Sequence, residues 1–275
     1  MKKVSLLAVG VVFSISLIGC SPKYESSTSS SSAVSKVNVS DEEILKVIDG
    51  SIEAANAKDL NKYMGYYDDK SEQYNDIKSA MDSELKTYDL KFTASDVHIL
   101  TKNANDIQVQ AVETVKLNKG NNFMDNKSLV IERLKKVDNK WKIYQRDIKK
   151  VEYFEPVYNV IYNSIQGANE KDITAFMAAF DQTNTDYCSK VKDEQQSIFD
   201  KYDVEYTFES ASITDKVDNK VAVQVTTTAI KKSNSAFNNV RTTSIYHFKN
   251  VNNEWKITKI DIKSTQQLDN KLIAK

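Results

Sequence analysis

One carboxylate in this sequence stands where acid–base chemistry could occur. Ile107, Val109 and Ala111 alternate along an apolar strand face, and Glu113 is the next residue on that face. A carboxyl group held among apolar neighbours has a raised pKa and can act as a general base. The simpler expectation is that the strand end leaves the core by residue 113, so that Glu113 is solvated and inert. Tyr63, Tyr66 and Tyr67 could line a pocket mouth near it, although aromatic residues on a helix usually belong to a core. Asp68-Asp69 reads as a helix-end turn. The two histidines, His98 and His247, have no carboxylate partner in their local pattern and read as solvated or packing residues. Cys188 has no base nearby in sequence and reads as a small, semi-buried bystander. Zinc-ligand spacing, a phosphate loop, a nucleophile elbow and a nucleotide fingerprint are all missing, so neither metal nor cofactor is expected.

The other cysteine has a different context. Lys2 and Lys3 precede an uncharged, mostly apolar run from Val4 to Ile18, followed by Leu17-Ile18-Gly19-Cys20. The run is short for a permanent membrane helix, which needs roughly 20 apolar residues, and suits a secretory signal. Its last four residues resemble a bacterial lipobox. That resemblance implies cleavage before Cys20, diacylation of its sulfur and anchoring on the extracytoplasmic face of the cell membrane; two acyl chains suffice for a stable anchor. Residues 1–19 are then a signal peptide. Residues 20–40 form a lipidated, Ser-rich tether too polar to repay its own ordering, with a reach of roughly 25 Å.

The mature chain is close to neutral. Lys plus Arg and Asp plus Glu number 38 each, and loss of Lys2 and Lys3 leaves 36 basic residues against 38 acidic. A nucleic-acid partner is not expected, because such binders carry a basic excess. Apolar residues make up 40% and charged residues 28% of 275, enough for one large or two ordinary domains.

A repeat decides between those two. Ser40-Asp41-Glu42-Glu43 reads as a capping box, starting a helix at about Asp41. At an offset of 113, Ile44, Val47, Ile48, Ser51, Ile52 and Ala55 fall on Val157, Val160, Ile161, Ser164, Ile165 and Ala168, one helical face. The repeated serine would let another backbone come close. Asn56 and Asn169 suit a helix end. Asp59 and Asp172 suit the cap of a second helix carrying Tyr63, Met64 and Tyr67, or Phe176, Met177 and Phe180. After one inserted residue the offset becomes 114 and holds without a gap, from Tyr88 on Tyr202 to the blocks around Trp141 and Trp255. This half alternates like strands, with Asn-containing hairpin turns before each tryptophan.

Each copy is therefore two or three helices followed by about four antiparallel strands, an α+β layout. Element order, size and the closing Trp strand resemble the nuclear transport factor 2-like superfamily, also called SnoaL-like or cystatin-like cone. The resemblance implies two tandem cone-shaped domains, residues 41–150 and 151–265, with 266–275 as a tail. In each, a curved antiparallel sheet wraps a helix, and the tryptophan plugs the core. It also implies a candidate pocket at Glu113, Tyr63 and Tyr67 in the first cone and at Phe176 and Phe180 in the second. Catalytic members use a base and a polarising donor in one cavity. Glu113 has no recognisable donor, and its counterpart is Thr227. The expected function is a non-catalytic binding or accessory module for a small apolar ligand or an envelope partner. The alternatives are an isomerase or dehydratase based on Glu113 and a structural spacer.

Overall fold

The computed structural model describes residues 40–103, 105–120, 123–232 and 237–268. Cys20, the apolar run before it, the Ser-rich segment up to residue 39 and residues 269–275 lie outside the described residues. The described residues divide into two compact units, one built from residues 40–118 and 126–151, the other from 119–125 and 152–268.

The first unit opens with α1 (Asp41–Asn56), α2 (Leu60–Met64) and α3 (Tyr74–Thr87), followed by β1 (Asp89–Lys102), β2 (Ile107–Lys119), β3 (Asn126–Val137) and β4 (Lys140–Tyr153). The second repeats the order as α4 (Pro156–Asn169), α5 (Ile173–Met177), α6 (Thr185–Lys201), β5 (Val204–Val217), β6 (Lys220–Lys231), β7 (Val240–Val251) and β8 (Glu254–Gln267). Each sheet is a four-stranded meander in chain order, β1-β2-β3-β4 and β5-β6-β7-β8. The fold is α+β, two copies of helices followed by an antiparallel sheet.

Local chemistry sets the boundaries. Ser40 caps α1 by accepting from the Glu43 amide at 3.2 Å, and three acidic residues in the first turn complement the helix dipole. Pro156 occupies the first turn of α4, where its missing N–H costs nothing. Asp59 and Asp172 cap α2 and α5 as their positions suggest. The tight turns into β4 and β8 place Asp138, Asn139, Asn252 and Asn253 at positive φ, the conformation of a two-residue hairpin.

The copies share their fastenings as well as their order. At the end of α1 the Asn56 side chain accepts from the Phe92 amide and donates to the Phe92 carbonyl, both at 2.9 Å. Asn169 does the same to Tyr206, at 2.7 and 2.9 Å. One amide side chain thus pins each first helix to its first strand. After the second helix, Ile143 donates to the Tyr66 carbonyl and accepts from the Asp68 amide. Ile257 is held in the same way between Ala179 and Asp181. The strand register also repeats: Ile107 faces Leu134 in β2–β3, and Val221 faces Phe248 in β6–β7.

Two expectations need correction. Trp141 is a core residue at 6% exposure, but Trp255 is only half-buried, so the second copy is not plugged in the same manner. The repeated serine meets another backbone in one copy only: Ser164 donates to the Phe176 carbonyl at 3.3 Å, whereas Ser51 returns its hydroxyl to the Ile48 carbonyl of its own helix at 2.8 Å. The tight contacts fall at Gly50, where a Cβ would meet the Tyr66 ring, and at Gly167, where it would meet the Phe176 backbone nitrogen at 2.5 Å. Among the described residues, no helix is long and apolar enough to cross a membrane.

Candidate functional site: a buried ionic cluster in the first unit

Glu113 is not solvated. It is 8% exposed, because β2 keeps its inward alternation from Ile107 through Glu113. It also has a partner that sequence reading missed. Arg146, on β4, donates from Nη1 to Glu113 Oε1 at 2.7 Å and from Nη2 to Oε2, a two-point grip. Nη1 also donates to Glu132 Oε1, on β3, at 2.6 Å. Glu132 is 2% exposed, and its other oxygen has no hydrogen-bond partner in the protein. The backbone of Arg146 is fixed by donation from its amide to Gln73 Oε1 at 2.8 Å.

Tyr63 and Tyr67 reach the same centre. Both are buried. Their hydroxyls lie 2.8 Å apart and their ring centroids 5.1 Å apart, as i and i+4 partners should. Burial pushes both phenols above their usual range. A third carboxyl group, Glu84 on α3, is also buried. Burial raises it to about 8, opposed by Arg146 and reinforced by the charge of Glu113. Glu132 is raised to about 7, again first by burial, with Arg146 opposing. Near neutrality Glu84 therefore keeps its proton, and Glu132 lies close to its midpoint beside the guanidinium.

Arg146 was missed because strict alternation fails on β4. Buried positions run Trp141, Ile143, then Arg146, a slip of one residue. In the second unit the register slips at the matching place, where His247 faces Lys259 but Phe248 faces Ile257. Such a bulge has no marker in the residue types. The available signal was compositional: an arginine in a closing strand, opposite carboxylates on the two preceding strands.

The second unit lacks this cluster. By the same offsets Tyr63, Tyr67, Glu84, Glu113, Glu132 and Arg146 become Phe176, Phe180, Ile198, Thr227, Tyr246 and Ile260. Phe176 and Phe180 lie 5.3 Å apart between centroids, and Phe180 is fully buried. Cys188 is buried, donating weakly to the Asp181 carbonyl at 3.3 Å. His98 is exposed. His247 does have a carboxylate neighbour, Asp261 Oδ2 at 2.9 Å, in a half-exposed surface pair that also includes Lys259. Among the described residues, no group of three or more His, Cys, Asp or Glu is placed to hold a metal ion.

Two successive helices-then-meander units, each closing on a Trp-bearing strand, make this a tandem α+β protein. The chain belongs to the family described as anti-sigma-I factor RsgI9, C-terminal domain, whose model matches it twice, at residues 46–154 and 159–268. No curated protein matches it. Among solved structures, a cystatin-like-fold protein of unknown function from Nostoc punctiforme is 16% identical, covering 40% of this chain and 90% of its own, with a TM-score of 0.35. An NTF-2 like protein of unknown function from Shewanella oneidensis is 19% identical, covering 39% and 96%, with a TM-score of 0.32. A type 2 hexachlorocyclohexane dehydrochlorinase is 9% identical, covering 41% and 87%, with a TM-score of 0.33.

Proposed function

We propose that the mature chain is a lipid-anchored, extracytoplasmic, non-catalytic binding or accessory module, held to the membrane through Cys20. The observation that carries the non-catalytic reading is the grip of Arg146 on Glu113. A general base must reach substrate, whereas Glu113 is buried and each of its oxygens is engaged by the guanidinium. The second unit has Thr227 at that position, so it offers no base there. The family takes its description from the C-terminal part of an anti-sigma factor, which supports an accessory or regulatory role for this chain. The Lys2-Lys3 start, the apolar run and Leu17-Ile18-Gly19-Cys20 support the anchor.

The test exposes the mature wild-type chain and Glu113→Gln to a small-molecule cell extract and follows binding and conversion by mass spectrometry. Binding without conversion, by the wild type at least, is the expected result. Conversion by the wild type that Glu113→Gln loses would make the enzyme reading correct. Glu113→Gln also leaves Arg146 less compensated, so its folding is checked by Trp141 emission.

A further inference from the structure

In the first unit the Tyr66 side chain lies over Gly50 of α1: a Cβ on Gly50 would come 2.2 Å from the Tyr66 hydroxyl oxygen and 2.5 Å from Cζ. The ring therefore spans from the strand-like segment after α2 to the helix. The backbone places Ala179 where Tyr66 stands, since each residue's carbonyl accepts from the matching isoleucine of the closing strand, Ile143 or Ile257. The residue equivalent to Gly50 is Asn163. In the second unit the space between these two positions is open. A groove of about 300 Å³ is lined by Ala179, Asn163, Val160 and Ser164, with Trp255 on its wall. Trp255 is half-buried there, whereas its counterpart Trp141 is in the core.

The two copies thus present one site in two states, filled by the chain's own phenol in the first unit and unfilled in the second. We propose that the second unit binds a small phenolic molecule, a single ring bearing a hydroxyl, in the groove between α4 and the start of β8. The ring would lie where Tyr66 lies in the first unit, beside Trp255. Its hydroxyl would point toward Asn163, whose amide can donate to it or accept from it. Polar Ser164, Asn253, Glu254 and Lys256 share the lining with apolar Ala179 and Trp255; small-ligand sites combine apolar walls with a few polar groups that orient the ligand. This inference rests on the binding-module reading and gives it a site and a ligand class.

The probe is p-cresol, the tyrosine side chain as a free molecule, titrated into the mature chain while the indole N–H resonances of Trp255 and Trp141 are followed. A saturable shift of Trp255 alone is expected, with a Kd in roughly the millimolar range for so few atoms. Asn163→Leu should weaken p-cresol about tenfold, the loss of one good hydrogen bond, and leave toluene binding unchanged. Ala179→Tyr combined with Asn163→Gly rebuilds the filled arrangement of the first unit and should abolish the shift. No saturable movement of Trp255, or equal binding of toluene and p-cresol by the wild type, would overturn the proposal. So would a Trp255 shift that appears on concentrating the chain without p-cresol, since the groove would then take an aromatic side chain of a second copy. These failures sink the groove alone, while the non-catalytic reading falls only if conversion depends on Glu113.

Discussion

Glu84 should make the first unit lose stability as the solution becomes alkaline, and Glu84→Gln should remove that loss. Its carboxyl lies buried at the end of α3 and titrates at about 8, against 4.5 for an exposed glutamate. Below pH 4.5 both folded and unfolded chains hold the proton. Above it the unfolded chain releases the proton while the folded chain retains it until about pH 8. Folding therefore takes up a proton across that window, and stability falls as pH rises through it. Integrated to pH 8, the loss is roughly 4 kcal/mol for this one group. Glutamine is neutral at every pH and nearly the same shape, so the variant should match the wild type at pH 4.5 and exceed it at pH 8. The assay is urea unfolding read by Trp141 emission, in a Trp255→Phe background that silences the second unit. With a urea slope of about 1–3 kcal/mol per molar, the gain at pH 8 should move the midpoint by at least about 1 M. Equal midpoints at pH 8, or a variant less stable at both pH values, would refute the reasoning and place Glu84 in contact with water.

Four further outcomes follow from the same structure. Arg146→Met leaves two buried carboxylates without their cation and should cost the first unit about 3–5 kcal/mol; Arg146→Ile with Glu113→Thr and Glu132→Tyr, the second unit's residues, should recover most of it in the same unfolding assay. Asn56→Ala and Asn169→Ala each remove two helix-to-strand hydrogen bonds and should each cost about 1–3 kcal/mol, read separately through Trp141 and Trp255 emission. Trp141→Ala should cost about 3–5 kcal/mol and Trp255→Ala distinctly less, because only the first indole is in a core. Cys20→Ser should leave the protein unlabelled by palmitate and either released or as the unprocessed precursor; a wild-type chain that takes up no palmitate would end the anchoring proposal.

The repeat was legible because helix and strand periodicities are written in residue types. Ile44 to Ala55 and Val157 to Ala168 mark the same buried stripe, and the single-residue change of offset falls before Tyr88, between the second helix and the sheet. The caps at Asp59 and Asp172 and the hairpin turns at Asn139 and Asn253 were legible for the same reason: their chemistry is local. The interior of the first unit was not. Glu113 was visible on its strand face, but its burial depends on Arg146, which reaches the cluster only through the one-residue slip in β4. Glu84 and Glu132 carry no sequence mark of burial, since a charged residue on a helix or an alternating strand usually faces water. The helix-to-strand role of Asn56 was equally hidden, because it joins residues 36 apart.

Whether the cluster is closed to water is decided most directly by hydrogen exchange at the arginine side chains, resolved by NMR in the full mature chain. Arg146 donates to two buried carboxylates, while Arg241 makes a comparable pair with Glu209 at 31% side-chain exposure and serves as the internal reference. The Nη protons of Arg146 should exchange far more slowly than those of Arg241 at the same pH and temperature. Exchange as fast as that of Arg241 would mean that water reaches Glu113, and a solvent-accessible acid–base site would replace the sealed ionic core.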